Sequence, residues 1–342
     1  MAYEKTILVT GGAGFIGLHV IEYFLKKYPQ YFIVNLDQLT YAANLKELAT
    51  FNTFPNYRFV KGNINNRPLI EELLTDLNID SIIHLAAETH VDRSIGSPEN
   101  FIETNVKGTF TLLEAVRNIW LHTRKTTNHR FHHISTDEVY GSLGPEGFFT
   151  EETPFAPNNP YSASKASADL LVRSYFHTYG LNTVTTHCSN NYGPKQHEEK
   201  LIPTIIRKAL HLERIPIYGD GKHTRDWLFV LDHCNGIDLA FHRGRAGVTY
   251  NIGGKNEHTN LEIAEKICGL LDEIAPEPLR SPWLTSYKEL IQFVHDRPGH
   301  DRRYAVDSEK IGKELGWKAK EPFDQGLRKT VEWYIHEHRK SP

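Results

Sequence analysis

The sequence is poor in the features that would tie it to a membrane, to nucleic acid or to an oxidising compartment. Its 342 residues include three cysteines, Cys188, Cys234 and Cys268. An odd number so widely scattered is no disulfide framework, so reduced thiols are expected. No apolar run approaches the ~18 residues of a membrane helix. The start, Met1 to Lys5 followed by Ile7-Leu8-Val9, lacks the basic flank and long apolar stretch of a signal peptide. Lys and Arg number 39 against 42 Asp and Glu, a formal net charge of -3. Such a balance gives no whole-chain attraction to nucleic acid or anionic lipid, so any anion must be bound locally. There is no internal repeat and no low-complexity tract. The expectation is a cytoplasmic globular protein with one large or two modest domains.

The first half of the chain alternates two kinds of segment. Thr6–Thr10, Tyr31–Leu36, Tyr57–Val60, Ser81–Leu85 and Phe131–Ser135 read as strands. Leu18–Lys27, Leu69–Leu77 and a long stretch over Phe101–Ile119 have helical spacing. This alternation predicts crossover units, hence a parallel α/β sheet with helices on both faces. Gly141–Pro160 is rich in glycine and proline and reads as a long irregular loop, a type often functional. A helix over Ser162–Tyr179 and a strand near Thr183–His187 follow. Beyond Asn190 the pattern mixes turns, short strands and helices, which suggests a smaller lobe built to hold a substrate. The expected division is residues 1–189 for the first domain and 190–342 for the second, with chain crossing between them.

The first strand runs directly into Gly11-Gly12-Ala13-Gly14-Phe15-Ile16-Gly17. Gly12, Gly14 and Gly17 fit G-x-G-x-x-G, which allows a tight turn, close backbone approach to a pyrophosphate and close helix packing. The helix start adds free N–H groups and a positive dipole end. Asp37 closes the second strand, 20 residues after Gly17. An acid there can accept from a ribose diol and repel the extra phosphate of NADP, which favours NAD. A surface-turn aspartate would look the same in isolation.

Tyr161 and Lys165 stand four apart at the start of a helix and share a face. An ammonium beside a phenol favours the phenolate and can make it a base. A chance Tyr-x-x-x-Lys is common, so context matters. Ser135-Thr136 ends a strand, where ligands of such sheets bind. Asp137-Glu138 follow, and two carboxyls can divide acid and base work if their surroundings separate them. A solvated acidic turn is the alternative.

Glycine cradle, strand-end hydroxyl and Tyr-x-x-x-Lys occur in this order, and the chain here resembles the extended short-chain dehydrogenase/reductase family. Further segments narrow the resemblance to its nucleotide-sugar 4,6-dehydratase branch. They are Leu39-Thr40-Tyr41-Ala42, His84 to Glu88, His90 to Ser94, Thr136 to Gly141, Tyr161 to Lys165, Cys188 to Pro194, Arg225-Asp226-Trp227 and Asp296 to Tyr304. They span nearly the whole chain.

The resemblance implies a Rossmann-type doubly wound sheet with a smaller, interleaved C-terminal α/β lobe, a homodimer through helices near Asn105–Trp120 and Ser164–Tyr179, and NAD as cofactor. Its implied reaction is transient oxidation at C4 of a nucleotide sugar, elimination of water across C5 and C6, and return of the hydrogen to C6. The expected substrate is dTDP-glucose, with UDP-glucose as the alternative. A non-catalytic NAD-sensing protein on the same fold is a third reading, disfavoured by the full set Thr136, Asp137, Glu138, Tyr161 and Lys165.

By the same resemblance, Gly11, Gly14, Phe15, Ile16, Gly17, Asp37, Leu39, Thr40, Asn63, Ile64, Leu85, Ala86, Ala87, Glu88, Thr104 and Asn191 would hold the cofactor with Tyr161 and Lys165. Glu88, Thr136, Asn190, Lys200, Leu201, Pro216, Tyr218, Arg225, Asn260, Arg297 and His300 would hold the substrate, with Arg225 and Arg297 at its diphosphate. Two departures stand out. Asn63 occupies a position where the family usually has aspartate, and His187 precedes Cys188 where asparagine is common. No metal is expected, because His132 and His133 are strand neighbours and point to opposite faces.

Overall fold

The computed structural model describes residues 3–121, 129–276 and 284–340. The chain opens β1 (Lys5–Thr10), α1 (Phe15–Lys27), β2 (Tyr31–Asp37), α2 (Leu45–Thr50), β3 (Tyr57–Lys61), α3 (Arg67–Asp76) and β4 (Ser81–His84). Next come α4 (Val91–Gly96), α5 (Pro98–Phe101), α6 (Gly108–Trp120), β5 (Arg130–Thr136), α7 (Pro160–Tyr179), β6 (Thr183–Cys188) and β7 (Asn190–Tyr192). The rest is α8 (Leu201–Leu210), β8 (Ile215–Tyr218), β9 (Thr224–Phe229), α9 (Val230–Arg243), β10 (Val248–Ile252) and β11 (Glu257–Thr259). It closes with α10 (Asn260–Ile274), β12 (Ile291–Val294), α11 (Glu309–Leu315) and α12 (Phe323–Lys340).

Seven strands form one parallel sheet in the order β3-β2-β1-β4-β5-β6-β10. The order reverses between β1 and β4, as in the expected doubly wound Rossmann-type fold. Both faces are covered, so the strands bury successive residues. Ile7 and Val9 of β1 pack with Phe24, Ile33 and Phe241 on one face, and Leu8 with Val34, Leu112 and Val172 on the other. This explains why β1 reads as a continuous apolar run and not as an alternating one.

The chain leaves this sheet after β6 and comes back to it as β10, beside β6. Between and beyond lie a three-stranded sheet, β11-β9-β7, and a pair, β12-β8. A second apolar core holds these together, built around Tyr192, Trp227, Phe229, Ile263, Tyr287 and Phe323. Among the described residues no helix is long and apolar enough to cross a membrane.

One expected helix is not continuous. The helical spacing over Phe101–Ile119 covers the end of α5, a π-helical turn at Ile102–Lys107 and then α6. The wide turn puts Asn105 inward, where its amide donates to Glu88 O at 3.0 Å and to Ser164 Oγ at 2.8 Å. Spacing alone does not distinguish five-residue from four-residue hydrogen bonding, and here a tertiary contact selects the wider turn.

Candidate active site

A cavity of about 300 Å³ opens at the carboxyl ends of β1, β4 and β5, at the point where the strand order reverses. Its floor is the β1–α1 turn. Gly11 there has φ +73°, and a Cβ would stand 2.6 Å from the Ala86 backbone nitrogen. Gly17 is as constrained, since its Cβ would stand 2.2 Å from Gly11 O. A side chain at either position closes the cradle. The turn glycine is therefore Gly11, outside the G-x-G-x-x-G triplet. Gly14 caps α1 without a side-chain hydrogen bond, and Phe15, Ile16 and Gly17 line the cavity above it.

Asp37 binds backbone with both oxygens. Its Oδ2 accepts from Ala13 N–H at 3.0 Å and its Oδ1 from Leu39 N–H at 2.7 Å. It thus ties the β2 end to the cradle, while burial raises its pKa against those two bonds. Thr40, Asn63, Ile64, Leu85, Ala86, Ala87, Glu88, Thr104 and Asn191 also line the cavity. Leu39 does not; it contributes through a positive φ of 61° and that N–H. The wall is apolar along Ala42, Ala43, Ile64 and Ala86, and polar along the cradle and Asp37. A cavity so lined, with a glycine cradle and an acid at a strand end, suits a dinucleotide, and Asn63 in its lining offers an amide.

The reactive end is set by β5 and α7. Asn159 caps α7 in a reciprocal capping box with Ser162, and Pro160 leads the helix. Such a cap contributes about 1 kcal/mol and fixes the first turn, on which Tyr161 sits. Thr136 ends β5 and caps the short 3-10 turn Asp137–Tyr140, accepting from Glu138 N–H at 3.3 Å. Thr136, Glu138, Tyr161 and Lys165 all line the cavity. Asp137 does not; it is 1% exposed and lies behind Thr136, whose hydroxyl donates to its Oδ1 at 3.4 Å.

Electrostatics separates these groups. Burial, with Glu138 and Asp226 nearby, pushes the Asp137 carboxyl well above its ordinary range. Burial also raises Glu138, but Arg297, Arg225 and Lys200 oppose it. Asp137 Oδ2 and Glu138 Oε2 are buried without a hydrogen-bond partner. Burial likewise drives Tyr161 well above a free phenol, with Glu138 adding to the shift and a hydrogen bond with Thr136 opposing it. Lys165 follows Tyr161 by about one turn of α7 and donates to Ile134 O at 2.8 Å. The expected easing of Tyr161 by the ammonium is not what dominates here: low dielectric and neighbouring carboxylates outweigh it.

The substrate residues divide into two groups. Glu88, Thr136, Asn190 and Lys200 line the cavity. Leu201, Pro216, Tyr218, Arg225, Asn260, Arg297 and His300 lie outside it, in the C-terminal part. There His300 stacks on His223 at 3.6 Å between centroids, and Asn260 N–H donates to His223 O at 3.0 Å. Arg225 donates to Asp301 O at 2.9 Å and lies 4.2 Å over the Tyr304 ring. Tyr218 donates to Asp92 Oδ2 at 3.4 Å, and Arg297 faces Asp92 at 3.5 Å. Both groups meet electrostatically at Glu138, which feels Arg297, Arg225 and Lys200 together.

Several wall residues escaped the sequence reading. Gln196, His197 and Glu199 line the cavity mouth. Tyr41 donates to Glu199 at 3.4 Å, and Arg93 lies 3.5 Å over the Tyr41 ring. Nothing in their spacing marks them, since the contacts join three distant segments. His223, Asp296 and His300 also converge, with ligand atoms within 4.8 Å of one another.

Sheet order, cradle and reactive pair define a dinucleotide-binding protein acting on a second ligand across the sheet switch point. The family description "GDP-mannose 4,6 dehydratase" matches residues 8–330, and the chain belongs to this family of nucleotide-sugar dehydratases. Within it, the chain is 52% identical over 335 residues to the dTDP-glucose 4,6-dehydratase of Neisseria gonorrhoeae, covering 97% of this chain and 96% of that one. Two solved dTDP-glucose 4,6-dehydratases resemble it along 98% of each chain. The Bacillus anthracis enzyme, in complex with NAD, is 47% identical with a TM-score of 0.86. The Streptomyces venezuelae enzyme, with NAD and a further ligand bound, is 44% identical with a TM-score of 0.87.

Proposed function

We propose that the protein is an NAD-dependent dTDP-glucose 4,6-dehydratase, a lyase that makes dTDP-4-keto-6-deoxyglucose and water. The observation that carries this is that Thr136, Glu138, Tyr161 and Lys165 line the same cavity as the glycine cradle and Asp37, with the buried acid Asp137 next to Thr136. The relatives named for the same reaction support it.

Gly11, Gly14, Phe15, Ile16, Gly17 and Asp37 would hold the adenosine and phosphates of NAD, with Tyr161 and Lys165 at its nicotinamide ribose. Bound there, NAD would supply a reversible two-electron hydride acceptor, which the transfer of the C4 hydrogen to C6 requires. Tyr161 would receive the O4 proton as the phenolate, a form that burial opposes and a nearby positive charge favours, and Thr136 would orient the sugar hydroxyl. The 4-keto group acidifies C5–H, which Glu138 removes as a proton and returns to C5 once C6 has gained its hydrogen. Asp137, kept protonated by burial, delivers a proton toward the departing C6 oxygen, so that water leaves. Each such proton transfer is worth ~10²–10⁴ in rate. Lys200, Arg225 and Arg297 supply the local positive charge for the diphosphate, since the whole chain does not. Asn190, Leu201, Pro216, Tyr218, Asn260 and His300 would complete the nucleotide site.

Two further readings belong here. The buried, unpaired Cys188, Cys234 and Cys268 favour the reducing cytoplasm. Exposed Phe110 on α6 and Leu170 on α7 favour a homodimer joined along these helices.

Incubation with dTDP-glucose and, separately, with UDP-glucose tests the reading, followed by mass spectrometry of the nucleotide sugar. Loss of one water from the dTDP sugar, much faster than from the UDP sugar, is expected. No water loss from dTDP-glucose overturns the proposal.

A further inference from the structure

Residues 296–304 run between two parts of the molecule that the proposed reaction uses together. On one side is β9, which carries Arg225. Thr224 N–H donates to Arg302 O at 2.9 Å, and Tyr304 N–H donates to Thr224 O at 3.1 Å. On the other side is the long loop that leads into α7. Leu143 N–H donates to Arg303 O at 3.0 Å, and Arg302 N–H donates to Ser142 Oγ at 2.9 Å. Gly299, at φ +65°, lies so close to this loop that a Cβ would stand 2.8 Å from Asn158 O.

Asp301 is buried in this seam, 4% exposed. Its three oxygens accept from three different residues. Oδ1 accepts from Asn158 Nδ2 at 2.6 Å, Oδ2 from the Tyr304 hydroxyl at 2.5 Å, and the backbone O from Arg225 Nη2 at 2.9 Å. A buried carboxyl needs hydrogen-bond partners, and here each of its oxygens has one.

These partners lead to different functional groups. Asn158 directly precedes Asn159, whose capping box sets the first turn of α7 and with it Tyr161. Tyr304 offers its ring to Arg225, whose guanidinium lies 4.2 Å over it. Arg225 is 5% exposed, and among the described residues no carboxylate is its ion-pair partner. Its remaining contact is Thr224 O at 2.8 Å. The guanidinium is thus placed by two carbonyls and one ring. Asp301 supplies one of those carbonyls and holds the ring by its hydroxyl.

We propose that Asp301 is a positioning residue that holds Arg225 and the first turn of α7 in one register, so that a sugar anchored by its diphosphate meets Tyr161 in line. Asp301 lines no part of the cavity and acts through Asn158, Tyr304 and Arg225. Rate falls steeply with misplacement, by ~10²-fold for ~1 Å. The inference rests on the reading of Arg225 and Tyr161 given under Proposed function.

The test uses Asp301→Ala, Asn158→Ala and Tyr304→Phe in the full chain loaded with NAD, with two readouts that need no turnover. The affinity for dTDP, by calorimetry, reports Arg225. Deuterium uptake at the start of α7, by mass spectrometry, reports the turn that bears Tyr161. Tyr304→Phe should weaken dTDP binding about tenfold and leave α7 uptake unchanged. Asn158→Ala should speed that uptake about tenfold and leave dTDP affinity unchanged. Asp301→Ala should do both, and adding either truncation to it should cost nothing more. In turnover, kcat should follow the α7 readout and KM the dTDP readout. A purely structural role gives losses that add in the double variants or that touch both readouts in every variant. Either result, or a readout unmoved by Asp301→Ala, overturns the proposal. Asn158 is exposed, so its truncation spares the core. If Asp301→Ala does not fold, the two single truncations decide, and no effect, or both effects in one variant, overturns the proposal. The expected split in a chain that dehydrates nothing would defeat the functional reading and not this one. Dehydration without the split would defeat this one alone.

Discussion

Asp137 and Glu138 are adjacent in sequence, yet Glu138 lines the cavity and Asp137 does not. Asp137 is buried off the cavity and raised by burial, then by Glu138 and Asp226, with Arg225 opposing; Glu138 lines the cavity, where Arg297, Arg225 and Lys200 oppose the effect of burial. Burial raises both, and the larger set of cations around Glu138 separates two similar carboxyls into an acid and a base.

Replacing each by its amide removes that division. Asp137→Asn and Glu138→Gln should each lower dehydration by ~10²–10⁴. Oxidation at C4 should survive, because Tyr161, Lys165 and Thr136 are untouched. Rapid mixing with dTDP-glucose, read by the absorbance of reduced NAD, should show its accumulation in both variants. Dehydration at the wild-type rate in either variant would refute its role.

The acid limb of the pH profile should report Glu138. Its raised pKa means that the working carboxylate is lost, as pH falls, at a higher pH than for a free glutamate near ~4.3. Arg297 leads the cations that hold this value down. Arg297→Met should therefore move the acid limb to still higher pH and raise KM, through the diphosphate. Measurement of kcat and KM across pH separates the two effects.

Asn159 fixes the first turn of the catalytic helix through its capping box. Asn159→Ala should cost about 1 kcal/mol of stability in denaturant unfolding. Tyr161 lies within that turn, so kcat should fall with KM little changed. Equal loss in both parameters would place the effect in substrate binding.

The sheet was legible because strand-like runs of four to six residues alternated with amphipathic helices and glycine punctuation. Most strand and helix ends moved by a residue or two, and the start of α1 by three, from Leu18 to Phe15. The cradle was legible because it needs glycine at defined positions, although Gly11, and not Gly12, makes the turn. The π-helical turn at Ile102–Lys107 was not, since the Asn105 contacts that favour it reach Glu88 and Ser164. His187 was visible only as a departure. Its hydrogen bonds to Tyr140 and Asp169 join three elements, and only the fold brings them together. The placement of Asp137 behind the wall and Glu138 on it was also invisible, because the 3-10 turn that rotates one residue past the other has no spacing signature.

The central claim is a closed redox cycle within one active site, in which the hydrogen taken from C4 returns to C6. The most direct test uses dTDP-glucose carrying deuterium at C4, with the product examined by mass spectrometry and NMR. The account predicts loss of one water, retention of the deuterium and its appearance at C6, with no net reduction of added NAD. Deuterium lost to solvent, or a product oxidised at C4 with accumulating reduced NAD and no water loss, would contradict it.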